Sequence, residues 1–234
     1  MELDDDLSAR VLAEALGDRP LRAYPALLST EADALAWARA GAPAGAVVVA
    51  GYQASPRGRG GTEWQAPPGE SLAFSLVLRP RLPAPREGWV YVVASLGLAD
   101  VLDADVRWPD EAVRGNVRAG AVAVSTGLGP FGVEWAVVNV LVTAARPPRG
   151  PLLARLVSAI ETRAAEPSAP ALADYLRRCE TLDLRVHARL IPMGPGGVVV
   201  EGRAVTVKTD GALVVETSDE RRIAIRPQSL GLLT

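Results

Sequence analysis

Apolar and polar positions repeat along this chain with two different periods, and the period predicts the element. Residues 5–16, DDLSARVLAEAL, space their apolar side chains three and four apart, as a short amphipathic helix does, and Gly17 stops it. LRAYPALL at 21–28 reads as a strand. STEADALAWARAG, 29–41, is a second helix: Ser29 or Thr30 caps it, acids fill its first turn and Gly41 ends it. AGAVVVAGY, 44–52, has the unbroken apolar run of a buried strand. SLAFSLVLRP, 71–80, alternates as another strand, and WVYVVASLGLADVLDA, 89–104, suits a long buried helix.

DVRWPDE, 105–111, predicts a short strand broken by Pro109. RAGAVAVST, 118–126, and VEWAVVNVLVTA, 133–144, predict a strand pair joined by the glycine-rich turn GLGPFG. Two helical stretches follow, LLARLVSAIETRAAE and ALADYLRRCETL. From about Leu184 the period returns to two around a hairpin turn at Asp210-Gly211. The expected organisation is a mixed α/β body over residues 1–183 and a small all-β unit over 184–234.

Composition narrows the class. A chain of 234 residues with 49% hydrophobic and 22% charged residues can bury a full core. Net charge is −2 and the pI about 5.6, so no global basic field draws it to nucleic acid or to a membrane surface. Cys179 is the single cysteine, which excludes an internal disulfide. The N-terminus MELDDD carries no apolar signal core, and no apolar run approaches the roughly 20 residues that span a bilayer. A cytoplasmic protein is expected. Lys208 is the only lysine among 25 basic residues, so residues 1–207 offer no side-chain amine.

The candidate chemistry starts at GYQASPRGRGGTEW, 51–64. Glycines let backbone N–H groups converge on an anion, and the guanidinium forks of Arg57 and Arg59 suit phosphate or carboxylate oxygens. Trp64 can lie against a flat ligand; the plain alternative is a solvated Arg/Gly loop ending in a core tryptophan. The loop lacks the Gly-Lys-Ser/Thr ending of a P-loop, and no helix follows it as in a dinucleotide fingerprint. Asp110 and Glu111 are adjacent carboxylates after a proline, either Mg2+ ligands beside a nucleotide phosphate or a surface acidic turn. His187 reads as a structural or solvent-facing residue of a strand, and Cys179 has no partner that would make it a nucleophile.

Taken in order, these segments resemble the biotin–protein ligases of the biotin/lipoate ligase superfamily. STE at Ser29–Glu31 stands where that family has Ser-Thr-Asn. PRGRGGTEW, Pro56–Trp64, stands for its GRGRRGRxW loop, with Gln53 upstream. RWPDE, Arg107–Glu111, stands for KWPND; VRAGAV, Val117–Val122, for KxAGIL; AVVN, ending at Asn139, for GIxN; and Gly202, Ala204 and DGAL at 210–213 for the terminal SH3-like pattern. The resemblance implies an α+β fold. A mixed sheet with helices packed on one face, like a class II synthetase or biotin ligase catalytic domain, is followed by a small SH3-like β-barrel.

It also implies a reaction. Biotin attacks ATP at the α-phosphate with Mg2+, and a lysine of the biotin carboxyl carrier domain of a biotin-dependent carboxylase takes the acyl group. Carried across, Ser29, Thr30, Gln53, Arg57, Gly58, Trp64 and Gly120 bind the acid. Arg59, Trp64, Arg107 and Asn139 serve the nucleotide, and Asp110 and Glu111 hold the metal. The family's lysine has become Val117. Arg118 is the candidate catalytic cation beside Arg59, although strict strand alternation would turn it to the opposite face. A lysine restored at Val117 is expected to raise adenylation. Alternatives remain open: a degenerate member that binds biotin or a related acid or adenylate without efficient transfer, or a partner-binding scaffold. Only 28 residues precede Ser29, fewer than the about 60 of a winged helix-turn-helix, so no DNA binding is expected. A homodimer is compatible with the resemblance.

Overall fold

The computed structural model describes residues 3–194 and 196–234; the first two residues of the MELDDD segment and Pro195 lie outside them. A seven-stranded mixed sheet forms its body. The strands are β1 (Leu21–Leu27), β2 (Val47–Gln53), β3 (Leu72–Leu78), β4 (Asp105–Arg107), β5 (Glu111–Arg114), β6 (Val117–Gly129) and β7 (Gly132–Val142). They lie in the order β1-β2-β3-β7-β6-β5-β4. Only the β1–β2 pair is parallel, and α2 (Thr30–Arg39) makes that crossover.

Side-chain alternation divides the sheet into two faces. Leu72, Phe74, Leu76 and Leu78 of β3, with Val138, Val140 and Val142 of β7, enter the main core. There they meet α3 (Trp89–Leu102), α4 (Arg149–Ala165) and α5 (Ser168–Arg178), with Leu12 of α1 (Ala9–Leu16). The intervening residues face the other way. Val48, Val77 and Val137 pack against Ala34 and Ala38 of α2, which adds a layer over part of this second face. The remainder of that face receives the Gly/Arg loop.

Helix α3 is apolar over nearly its whole surface because it is buried between the sheet, α4 and α5; only Asp100 is exposed. At Gly97 a Cβ would lie 2.7 Å from the backbone of Ile160, so this glycine sets how closely α3 and α4 approach.

The C-terminal strands β8 (Arg185–Leu190), β9 (Val199–Val207), β10 (Leu213–Glu216), β11 (Arg222–Ile225) and β12 (Leu230–Leu233) make a separate antiparallel sheet in the order β11-β10-β9-β8-β12. Its hydrogen bonding leaves β11 and β12 as edges rather than closing a ring. The expected hairpin turn pins this sheet to the body: Trp108 Nε1 donates to Gly211 O at 2.9 Å and Arg86 Nε to Thr209 O at 3.0 Å. Gly211 takes φ +80°, and a Cβ there would meet Gly88 O at 2.3 Å, so the contact needs glycine twice over. Among the described residues no helix is long and apolar enough to cross a membrane.

Replacing Gly97 by Ala should drive α4 from α3. The expected loss is about 1–3 kcal/mol in urea unfolding, with the denaturant slope unchanged.

Candidate functional site

The loop after β2 folds back over the second face of the sheet. Pro56 and three glycines deny it a regular ladder, and Gly60 and Gly61 hold φ values of +64° and +79°. Its anchor is Trp64, buried against Ala73, Ala121, Ala123 and Leu141. Three alanines in that set leave the hollow that the indole fills. Gly58 lies directly on the ring, where a Cβ would come within 2.2 Å of Nε1. Two residues expected to touch a ligand therefore pack on each other, and Trp64 acts as the loop's foot rather than as an open stacking surface.

Beneath the loop is a buried polar cluster in an otherwise apolar sheet. Ser29 caps α2 by accepting from Glu31 N at 3.2 Å. Gln53 Oε1 accepts from Thr30 N at 2.8 Å and faces Thr30 Oγ1 at 3.2 Å. Ser75 Oγ lies 3.0 Å from Thr30 Oγ1 and 2.9 Å from Asn139 Oδ1. Asn139 Nδ2 then donates to Arg57 O at 2.7 Å, tying the cluster to the loop. Asn139 thus joins Thr30, Gln53 and Ser75 in one buried cluster under the loop. Ser75 belongs to this set and escaped the sequence reading; its signal is the lone serine in LAFSLVL.

A second cluster pairs arginines with acids. Arg59 Nε donates to Asp110 Oδ2 at 3.1 Å, and its Nη1 reaches Leu230 O, so the loop also touches the C-terminal sheet. Burial pushes the Asp110 carboxyl up to about 6, against the pull of Arg59 and with the help of neighbouring Glu111. Glu111 is bonded by Arg118 and lies 3.6 Å from Arg107, which also pairs with Glu180 at 3.3 Å. Both carboxylates assigned to a metal are thus occupied by guanidinium groups. Among the described residues no group of three His, Cys, Asp or Glu could hold a metal ion. The pair does not fit a resident Mg2+, because its carboxylate oxygens are already engaged by guanidinium groups.

Register decides which neighbour of the missing lysine faces the loop. Glu111 pairs with Ala121 and Ala112 with Gly120, but Val113 pairs with Arg118, so Ala119 is an extra residue in β6. This bulge turns Arg118 to the face of Glu111 and Ala121, under the loop. Val117 falls on the helix face, beside Arg114, whose guanidinium bonds Leu102 O of α3; it is 70% exposed. Simple alternation would have excluded Arg118; the bulge supplies the one-residue shift. Gly120 also has a packing role. A Cβ there would meet Leu141 O at 2.7 Å and Leu98 of α3 at 3.1 Å, so the glycine serves strand-to-helix packing.

Between loop and strand lies a cavity of about 400 Å³ lined by Glu31, Arg57–Gly61, Tyr91 and Ala123–Ser125. Arg57 spends Nε on Ser55 Oγ at 3.0 Å and Nη1 on Gly61 O at 3.1 Å. Tyr91 donates to Val124 O at 3.3 Å, and its burial drives the phenol above its ordinary range. Larger hollows of about 660 and 610 Å³ lie at the β6–β7 turn and beside α4, away from this chemistry. His187 sits half-exposed on β8 beside Glu201, and Cys179 is buried with its thiol pushed up by burial; neither faces the loop.

Comparison with known proteins agrees with this geometry at the level of fold. No protein-family model matches the chain. A stretch of 129 residues is 36% identical to the biotin–acetyl-CoA-carboxylase ligase of Paracoccus denitrificans, covering 51% of this chain and 52% of that one. The match thus spans about half the length of that curated relative. The structure superposes on a biotin protein ligase from Aquifex aeolicus in complex with biotin and ATP. The TM-score is 0.69 at 16% identity, over 92% of this chain and 98% of that one. It also superposes on a biotin protein ligase-like protein of unknown function from a Silicibacter species, with TM-score 0.68 at 13% identity, over 90% and 95%. The chain is biotin–protein-ligase-like, with the mixed sheet and the separate C-terminal sheet in place.

Asp110 makes the hold on the loop depend on pH. Its raised folded pKa means that the neutral form favours folding at low pH, a contribution lost as pH rises through about 6, whereas the Arg59 pair forms only as Asp110 ionises. Amide exchange of residues 57–61, corrected for its chemical rate, should therefore quicken as pH falls from about 7.5 to about 5. In Asp110→Asn that pH dependence should disappear.

Proposed function

We propose that this ligase-like chain holds a carboxylic acid and the adenylyl group of its adenylate beneath the 54–64 loop. Biotin is the reference acid and ATP the nucleotide. The acid's carboxylate attacks the α-phosphorus, pyrophosphate leaves, and a carrier-domain lysine then displaces AMP to form the amide. Both arginines act electrostatically. Arg59 closes the loop over the mixed anhydride, and Arg118 offers a fixed cation where the family resemblance calls for lysine. The loop excludes water that would hydrolyse the anhydride. A cytoplasmic location accords with an ATP-dependent activity of this kind.

The bulge at Ala119 carries this reading, because it supplies a cation on the loop's face in a body without lysine. A second reading, binding without transfer, draws support from the pairing of Arg118 with Glu111, which leaves the guanidinium partly neutralised.

Calorimetric titration with biotin, then with biotin plus ATP, and a pyrophosphate-release assay separate them. Binding with release supports the ligase reading; binding without release supports the second; no binding removes both. Arg118→Ala should lower release by about 10²–10³-fold. Val117→Lys should change it by less than about twofold, because the register turns that side chain away.

A further inference from the structure

Glu31 stands in the first turn of α2, in the position of a neutral amide in the resemblance, and its side chain lines the 400 Å³ cavity. Ser125 Oγ donates to Oε1 at 2.9 Å, which fixes the carboxylate against β6. Among the described residues no arginine pairs with it, whereas Asp33, Asp110 and Glu111 around it each have a guanidinium partner. Burial raises its pKa. A half-buried carboxylate with one hydrogen bond and no cation is costly to keep, and a ligand that brings the cation offsets that cost.

The lining of the same cavity also holds the reverse chemistry. Ser55 and Gly61 orient the Arg57 guanidinium through Nε and Nη1, leaving Nη2 outside those bonds, and the backbone of Gly60 and Gly61 lies beside it. One small cavity thus includes in its lining a carboxylate oriented by Ser125 and a guanidinium oriented by Ser55 and Gly61.

We propose that the acid taken by this site is an amino-substituted carboxylic acid, its ammonium on Glu31 and its carboxylate toward Arg57. The assignment rests on the acid-binding reading above and names the substrate class within it. Glu31 is the specificity-determining residue. An unsubstituted acid leaves its carboxylate unpaired, and a neutral ureido group satisfies it with hydrogen bonds alone.

The test is calorimetry on the full chain, with an ATP analogue that cannot release pyrophosphate. β-Alanine, γ-aminobutyrate and ε-aminocaproate are compared with propionate, butyrate and caproate, and with biotin. At one chain length the amino acid should bind at least about tenfold tighter than its unsubstituted partner. Glu31→Gln should reduce that ratio to about twofold or less. Glu31→Asp, which retracts the carboxylate by one methylene, should move the preferred length to the next longer amino acid. Equal binding of amino and unsubstituted acids, or an amine preference that survives Glu31→Gln, overturns the proposal and leaves the acid-binding reading standing. Failure of every acid to bind, biotin included, removes both.

Discussion

Asn139 and Trp64 together hold the Gly/Arg loop on the sheet, and the site's geometry follows from that attachment. One is a polar clasp: a buried amide that takes its own hydrogen bonds from Ser75 and Thr30 and gives one to the Arg57 carbonyl. The other is a dry foot in a bed of alanines. A buried amide costs free energy unless it is fully bonded, so the loop is not an optional cover for Asn139 but the acceptor that completes it. Arg57, Arg59 and the glycine between them are presented to the cavity because their neighbours on either side are fixed. The same loop reaches the C-terminal sheet through Arg59 and Leu230, so both sheets help to set its position.

Charge is distributed around the loop with unusual economy of type. A body without lysine balances its acids with guanidinium forks, which hold geometry better than an ammonium but give up the freedom to act as a neutral base. Asp110 shows the consequence. Desolvation raises its pKa while Arg59 pulls the other way, and the balance leaves it at about 6. The pair is a closure whose strength depends on proton concentration. Glu31, set against Ser125 instead of an arginine, is the exception among the nearby acids.

Much of the fold was legible because the hydrophobic period is strong. LAFSLVL and VEWAVVNVLV alternate between two buried faces, and WVYVVASLGLADVL can be buried on all sides only as a helix inside a layered protein. The Gly/Arg loop, the acidic pair and the residues under them were legible as types. Their partners were not. Nothing in the order of residues says that Asp110 meets Arg59 across 51 positions, or that Ser75 completes a cluster with Thr30 and Asn139. Trp64 and Gly58 looked like ligand contacts, and the structure packs them on each other. Gly120 looked like a place for close ligand approach, and the structure presses it against α3.

By itself the sequence determined most of the elements (β5 escaped it), their two-sheet organisation and the chemical vocabulary of the site: arginines, carboxylates, no amine. Those properties are local, set by side-chain period, turn chemistry and composition. Tertiary structure alone decided which of two neighbouring residues, Val117 or Arg118, faces the loop. An unpaired residue in a strand leaves no mark in period-two alternation until the partner strand fixes the register, so that choice belongs to pairing across β5 and β6 rather than to either strand alone.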